Sequence, residues 1–155
     1  MSLSIRPLTK KDIQACAQLF YETVHTVNKQ HYSPEQLKVW APDIAQFSIR
    51  FENMLENSAW VVEDQGQIVG FGDMTHQGYI DRLYVHKDFQ RKGIARLIFS
   101  KWLAYAKEHK LKELTTEASI TAKPAAEALG FKVITEQIVV INGQQFVNYK
   151  MVYSL

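Results

Sequence analysis

Leu83-Tyr84-Val85-His86-Lys87-Asp88-Phe89-Gln90-Arg91-Lys92-Gly93-Ile94-Ala95 decides the fold. An apolar strand ends at Val85, a short polar connection follows, and Gly93 opens an amphipathic helix that runs to about His109. The product is a strand, a loop of free backbone N–H groups and a helix N-terminus. The first N–H groups of a helix have no carbonyl partner within it, and the aligned peptide dipoles add partial positive charge at that end. Such a terminus binds phosphate. Gly93 lets an anion approach the backbone with no Cβ in the way, and Ala95 is nearly as small. Arg91, Lys92 and Arg96 add positive charge. The stretch reads as a pyrophosphate cradle.

Downstream of the cradle, Ile94, Leu97, Ile98, Trp102 and Ala106 recur near helical spacing. Leu114–Ala118 reads as a strand, Thr121–Leu129 as a short helix stopped at Gly130, and Phe131–Ile134 and Gln145–Val152 as the last strands, joined around Asn142-Gly143. Upstream, Tyr79–Val85 is the strand that feeds the loop, after a turn at Gln77-Gly78. Ala59–Glu63 and Ile68–Met74 flank Asp64-Gln65-Gly66-Gln67, a hairpin turn. Ser4–Leu8 is a first short strand. Thr9 with Asp12 signals a helix start, and that helix runs to about Asn28. Ser33 followed by Pro34 signals another, which Pro42 ends near Trp40, and a further helix spans about Ile44 to Leu55. Helix crossovers join some strands and tight turns join others. The expectation is an α/β (α+β) fold, a mixed and mostly antiparallel sheet flanked by helices, in a single domain spanning residues 1–155.

The 155 residues suffice for one real core, with 46% hydrophobic and 22% charged residues. A formal net charge of +2 and the absence of a Lys/Arg run argue against a nucleic-acid partner. The single cysteine, Cys16, forms no internal disulfide and shares an apolar helix face with Ile13, Ala17, Phe20 and Val24, the pattern of a small core residue. No apolar run is long enough to span a membrane, and no signal-peptide pattern opens the chain, so a cytoplasmic protein is expected. His25, His31, His76, His86 and His109 show no ligand spacing, so no metal is expected. Neither G-x-x-x-x-G-K-[ST] nor G-x-G-x-x-G is present, which excludes the common nucleotide-binding loops.

The chain resembles the GCN5-related N-acetyltransferase (GNAT) superfamily. Gln90-Arg91-Lys92-Gly93-Ile94-Ala95 fits that family's (Q/R)-x-x-G-x-(G/A) loop, with Leu83-x-Val85 at the usual distance upstream. Ala118-Ser119-x-x-Ala122 and Gly130-Phe131 match a further segment, and the element order matches over nearly the whole chain. His31-Tyr32-Ser33-Pro34-Glu35-Gln36-Leu37, Trp40-Ala41-Pro42 and Asn148-Tyr149-x-Met151 resemble a bacterial subgroup of uncharacterised, YafP-like members. The resemblance implies acetyl transfer from acetyl-CoA to the amine of a small molecule or peptide. It implies a bulge in the strand Tyr79–Val85, which splays from Leu114–Ala118 so that pantetheine lies in the gap. Leu83, Tyr84 and Val85 would bind it along the strand, and Gln90, Arg91, Lys92, Gly93, Ile94, Ala95 and Arg96 would hold the pyrophosphate. Ser119 stands where the family often has Asn. Homodimers are common in the family.

Direct attack on a thioester needs a neutral amine, and an alkylammonium with a pKa near ~10 must first lose a proton. By the family's pattern the basic residue lies two or four positions before Leu83, at Asp81 or Tyr79, and Asp81 working through water is the preferred base. Glu117 on the neighbouring strand is the next candidate, ahead of His76 and His25. The family's usual proton donor to the CoA thiolate is a Tyr four residues after the position of Ala122, which here is Ala126, beside Ala125. The thiolate then leaves unaided, another group such as Tyr79, Tyr149 or a water donates, or the chain is a catalytically weak or inactive acyl-CoA-binding module. Tyr105 and Tyr153 read as packing residues. Tyr32, Trp40 and Phe47 are the candidate walls of the acceptor site, where aromatic faces attract an alkylammonium. No acidic cluster pointing to a polyamine is visible in the sequence.

Overall fold

A computed structural model describes residues 2–155. Strand β1 (Leu3–Pro7) is followed by helices α1 (Ile13–Thr26), α2 (Pro34–Trp40) and α3 (Ile44–Arg50). Three strands come next, β2 (Ser58–Asp64), β3 (Gln67–Met74) and β4 (Tyr79–Val85). Helix α4 (Ile94–Glu108), β5 (Glu113–Ser119), α5 (Lys123–Leu129), β6 (Lys132–Ile141) and β7 (Gln144–Ser154) complete the chain. The strands form one sheet in the order β1-β2-β3-β4-β5-β7-β6. Every pairing is antiparallel except β4 with β5. The mixed, mostly antiparallel sheet expected from the sequence is therefore present.

The helix starts follow their caps. Thr9 and Asp12 form a capping box ahead of α1, and Ser33 and Gln36 form one at α2 with Pro34 in its first turn. Asp43 caps α3 by accepting from the Gln46 N–H at 2.8 Å. The single helix expected over Ile44 to Leu55 instead tightens into a 3-10 turn at Phe51–Glu56. Phe51 and Met54 are three residues apart and both buried, and a 3-10 turn stacks positions i and i+3 on one side. The strand expected over Phe131–Ile134 begins at Lys132 and runs on to Ile141. Asn142 and Gly143 both have positive φ, 47° and 81°, the geometry of a two-residue hairpin turn, and the register it sets pairs Ile141 with Gln144 and carries the ladder to Lys132 and Val152.

The sheet has a core on each face. Cys16, Phe20, Val24, Phe47, Phe51 and Phe71 pack beneath α1–α3. Val69, Ile98, Trp102, Leu114, Phe131 and Met151 pack beneath α4 and α5. Cys16 has no exposed surface, and burial pushes its thiol above the ordinary range. Gly70 on β3 allows the close approach that matters for the site. A Cβ built there would lie 2.4 Å from Cγ2 of Ile94, so the missing side chain lets the first turn of α4 settle against the sheet.

Candidate functional site

The site grows from a defect in β4. Asp73 pairs with Arg82 but Met74 pairs with Ile80, so Asp81 is an extra residue on β4. The bulge bends the strand away from its parallel neighbour. Pairing with β5 is confined to Tyr79 with Thr115 and Ile80 with Thr116, after which the two strands part. His86 N–H donates to Val69 O at 2.8 Å. Because alternate residues of an antiparallel ladder turn the same way, the N–H and C=O groups of Leu83 and Val85 turn from β3 toward the gap. The Val85 carbonyl there accepts from Gln90 Nε2 at 2.7 Å and Thr23 Oγ1 at 3.2 Å.

Gly93 caps α4 from the left-handed region at φ 81°, and no side chain caps the N–H groups that follow. Arg91 also has positive φ, 61°. A Cβ at Gly93 would meet nothing within 4 Å, so the backbone at this helix end faces open space. Arg91 and Lys92 are exposed beside it. Arg96 is turned elsewhere, since its guanidinium donates to Ala128 O at 3.1 Å and ties α4 to the end of α5. Ile94 is buried against Gly70, so only its backbone remains for a ligand.

A cleft of about 410 Å³ opens where β4 and β5 part. Leu83, Tyr84, Val85, Gln90, Ala95 and Ser119 line it on the cradle side. Tyr79, Asp81 and Glu117 line it on the other, with Tyr32 and Trp40 as aromatic walls. The candidate base, its alternative, the phenol and two of the three expected wall residues thus share one cavity. Phe47 does not join them. It is 4% exposed and stacks on Phe20 and Phe51 with ring centroids 4.5 and 5.6 Å away, so it belongs to the core under α3. Phe146 takes the place expected for it, its centroid 6.0 Å from Tyr32 and 6.2 Å from Trp40, and it lines the cleft.

The polar partners divide the cluster. Asp81 Oδ2 accepts from Arg82 Nη2 at 2.8 Å, while Glu117 Oε2 accepts from the neutral Gln137 amide at 2.8 Å. Burial pushes the Tyr79 phenol up to about 12, and the charges of Glu117 and Asp81 push in the same direction. Ala125 and Ala126 both face the cleft, so the position of the absent tyrosine is a wall of methyl groups. Tyr149 lies under Lys123 at 4.8 Å and is not on the cleft wall; its hydrogen bond to Glu136 pushes its phenol up. His25 and His76 also lie off the cleft, bound to Ala41 O at 2.8 Å and Glu56 O at 2.9 Å. Ser119 is partly committed to structure: its Oγ accepts from the Ala122 N–H at 3.0 Å and hydrogen-bonds Tyr32, whose own hydroxyl accepts from the Ile120 N–H at 2.9 Å. Burial pushes the phenols of Tyr32 and Tyr84 above the ordinary range, and the Trp40 side chain hydrogen-bonds that of Tyr84.

Sequence reasoning missed Arg82. Its guanidinium lies 3.2 Å from the carboxylate of Asp73, bonds Asp81 and Asn53 at 2.8 Å each, and sits 5.0 Å over the Phe51 ring. The Asp73 side chain has no exposure, its other oxygen accepts from Asn57 at 2.8 Å, and desolvation pushes its carboxyl up against the opposing pull of Arg82. A carboxylate inside the apolar run Ile68–Met74 was the available signal, because such a charge is buried only with a partner. Among the described residues no group of three or more His, Cys, Asp or Glu side chains is arranged to hold a metal ion, and no helix is long and apolar enough to cross a membrane.

Residues 28–153 match the family model described as an acetyltransferase (GNAT) domain. An uncharacterized N-acetyltransferase of Escherichia coli strain K12, YafP, is 33% identical over 154 residues, which cover 99% of this chain and 97% of that protein. A crystal structure of a GCN5-related N-acetyltransferase from Rhodopseudomonas palustris superposes with a TM-score of 0.89 at 26% identity, covering 100% of this chain and 97% of the other. The PaiA N-acetyltransferase of Thermoplasma acidophilum, solved in complex with coenzyme A, shares the fold with a TM-score of 0.78 at 16% identity and full coverage of both chains, 100% each.

Proposed function

The chain belongs to the GNAT superfamily of acetyltransferases, and on that premise we propose that it moves an acetyl group from acetyl-CoA to an amine by direct attack. The observation that carries this reading is the parting of β4 from β5 beyond Ile80, at a bulge that turns the backbone of Leu83 and Val85 into a cleft ending at an uncapped helix N-terminus. An extended pantetheine amide finds strand-like partners in that gap, and a pyrophosphate finds the free N–H groups after Gly93 with Arg91 and Lys92 beside them. The relative from Thermoplasma acidophilum holds coenzyme A on the same fold, which supports this use.

In the proposed reaction the incoming ammonium gives a proton to Asp81 or Glu117 through water. The freed nitrogen lone pair forms a bond to the thioester carbon, and the carbon–sulfur bond then breaks with its electron pair leaving on sulfur. The nitrogen's second proton passes to the thiolate, giving an amide and free thiol. A thiol pKa near ~8.5 makes the thiolate a fair leaving group without a dedicated acid, which suits the methyl wall at Ala125 and Ala126.

Titration calorimetry with CoA and acetyl-CoA, with ATP and NAD as controls, tests the donor, and thiol release across amines, amino acids and peptides tests the transfer. Selective binding of CoA species with amine-dependent thiol release is the expected outcome. Binding without release would favour the acyl-CoA-binding module that Ala126 leaves open, and binding of ATP or NAD alone would overturn the reading.

A further inference from the structure

We infer that the acceptor is a cationic amine that carries no carboxylate beside its reacting nitrogen. The inference rests on the acetyltransferase reading and narrows it. The cleft brings together two carboxylates that lie on different strands, Asp81 at the bulge of β4 and Glu117 on β5, one on either side of the gap. Among the described residues no Lys, Arg or His lines the cleft. The cations near its rim are engaged or turned out. Arg82 is held against Phe51, Asp73 and Asn53 and donates to Asp81 at 2.8 Å, while Lys150, opposite Glu117 in the β5–β7 register, is exposed and forms no ion pair with Glu117 among the described residues. Tyr79 lies within reach of both carboxylate charges. The remaining wall around them is aromatic, Tyr32, Trp40 and Phe146.

Such a lining treats the two ends of an amino acid oppositely. An ammonium entering the cleft is drawn by Glu117, whose hydrogen-bond partner is the neutral Gln137 amide, by Asp81, whose charge Arg82 partly offsets, and by aromatic faces. A carboxylate on the adjacent carbon would be carried into the same space, with like charges near it and no cation on the cleft wall to pair with. Rejection here comes from repulsion of the wrong substrate more than from a contact made to the right one. The same two carboxylates serve the chemistry, since the proton that the ammonium must lose has an acceptor on either strand.

Matched pairs that differ only by a carboxyl group beside a single reactive alkylamine isolate the effect: tyramine with tyrosine, tryptamine with tryptophan, histamine with histidine. Thiol release is measured for each at saturating acetyl-CoA with the intact chain. The expected result is a kcat/KM at least about tenfold higher for the decarboxylated member of every pair that reacts. In Glu117→Lys, which places a cation on the β5 side, that ratio falls toward one whatever happens to the absolute rate, and acetyl-CoA titration of the variant reports that the donor site is still folded. Equal or preferred use of the amino acids would overturn the inference and leave the acetyltransferase reading standing. Acetyl-CoA binding without thiol release from any pair would overturn the inference and the transfer reading together while the donor site survives, and loss of acetyl-CoA binding in the unaltered chain would overturn the donor reading itself.

Discussion

The two ends of the cleft are made of different material. The cradle end is backbone: the strand groups of Leu83 and Val85 and the N–H groups after Gly93, all within thirteen consecutive residues. The acceptor end is side chain: Tyr79 and Asp81 from β4, Glu117 from β5, Trp40 from α2, Phe146 from β7 and Tyr32 from the turn before α2. Backbone presents one chemistry whatever side chain it carries, so the cradle end reports a ligand class common to a family. Side chains set charge and shape, so the acceptor end is where this chain states its own preference, and the absence of a tyrosine at Ala126 belongs to that end as well.

Arg82 is the side chain on which the two ends meet, and its replacement produces the largest effect. It stands on the cradle strand, pairs with Asp73 beneath the bulge and holds the Asp81 carboxylate in the cleft. In Arg82→Gln the wholly buried Asp73 keeps only Asn57, and removing one partner of a buried pair costs about 3–5 kcal/mol. At about 2–4 °C per kcal/mol for a domain of this size, Tm falls by roughly 10 °C. Thermal unfolding checks this, and Arg82→Lys, which keeps a charge, recovers part of the loss. A variant that kept its Tm but lost amine turnover would separate the two ends at the residue argued to join them.

This division also explains what the sequence disclosed. The cradle, the hairpin turns, both capping boxes and the order of elements along the chain depend on local rules, namely glycine with positive φ, caps at fixed offsets and apolar periodicity, all of which act over a few neighbours. The acceptor end depends on which strands the sheet places side by side. Glu117 meets Asp81 because β5 pairs in parallel with β4 for two residues and then departs, and no local pattern records that departure. Tyr32 and Trp40, named with Phe47 as candidate walls, do line the cleft. Phe47 and Phe146 are indistinguishable by type; the former lies on the inner face of α3, and the latter on the face of β7 that carries Asn148 into the cleft. Arg82 went unread because its partner, Asp73, faces it only across the register of β3 and β4.

Gly93 probes the cradle end alone. Its φ of 81° is strained for any residue with a Cβ, at a cost of about 1–2 kcal/mol, and the added methyl would point into open space where an anion is proposed to sit. Gly93→Ala is therefore expected to weaken CoA binding by about tenfold in calorimetry, the fold-change equivalent to about 1.4 kcal/mol. The KM for the amine, measured at saturating acetyl-CoA, stays near its original value, because among the described residues no hydrogen bond joins the acceptor wall to this loop. Parallel loss of both would show that the two ends do not work independently.

Tyr79 gives the smallest effect and the sharpest reading of the acceptor end. Its phenol lies in the cleft with the carboxylates, where burial first and their charges second push it up to about 12 from the usual ~10. The neutral form is thereby held through the whole range in which an amine acetyltransferase is assayed, so a fall in rate below pH 10 does not come from this group. Tyr79→Phe should keep the shape of the pH–rate profile and change kcat by no more than about threefold, the size of one neutral hydrogen bond. The folding stability carries the complementary signature. A phenol whose folded value lies above its unfolded value contributes stability that is intact below about pH 10 and is lost as pH rises through 12. Chemical denaturation between pH 9 and 12 should show a steeper decline in the unaltered chain than in Tyr79→Phe. If the variant instead abolished a basic limb that the unaltered chain displays below pH 10, Tyr79 would be the acid that replaces the missing tyrosine, and departure of the thiolate would not be unaided.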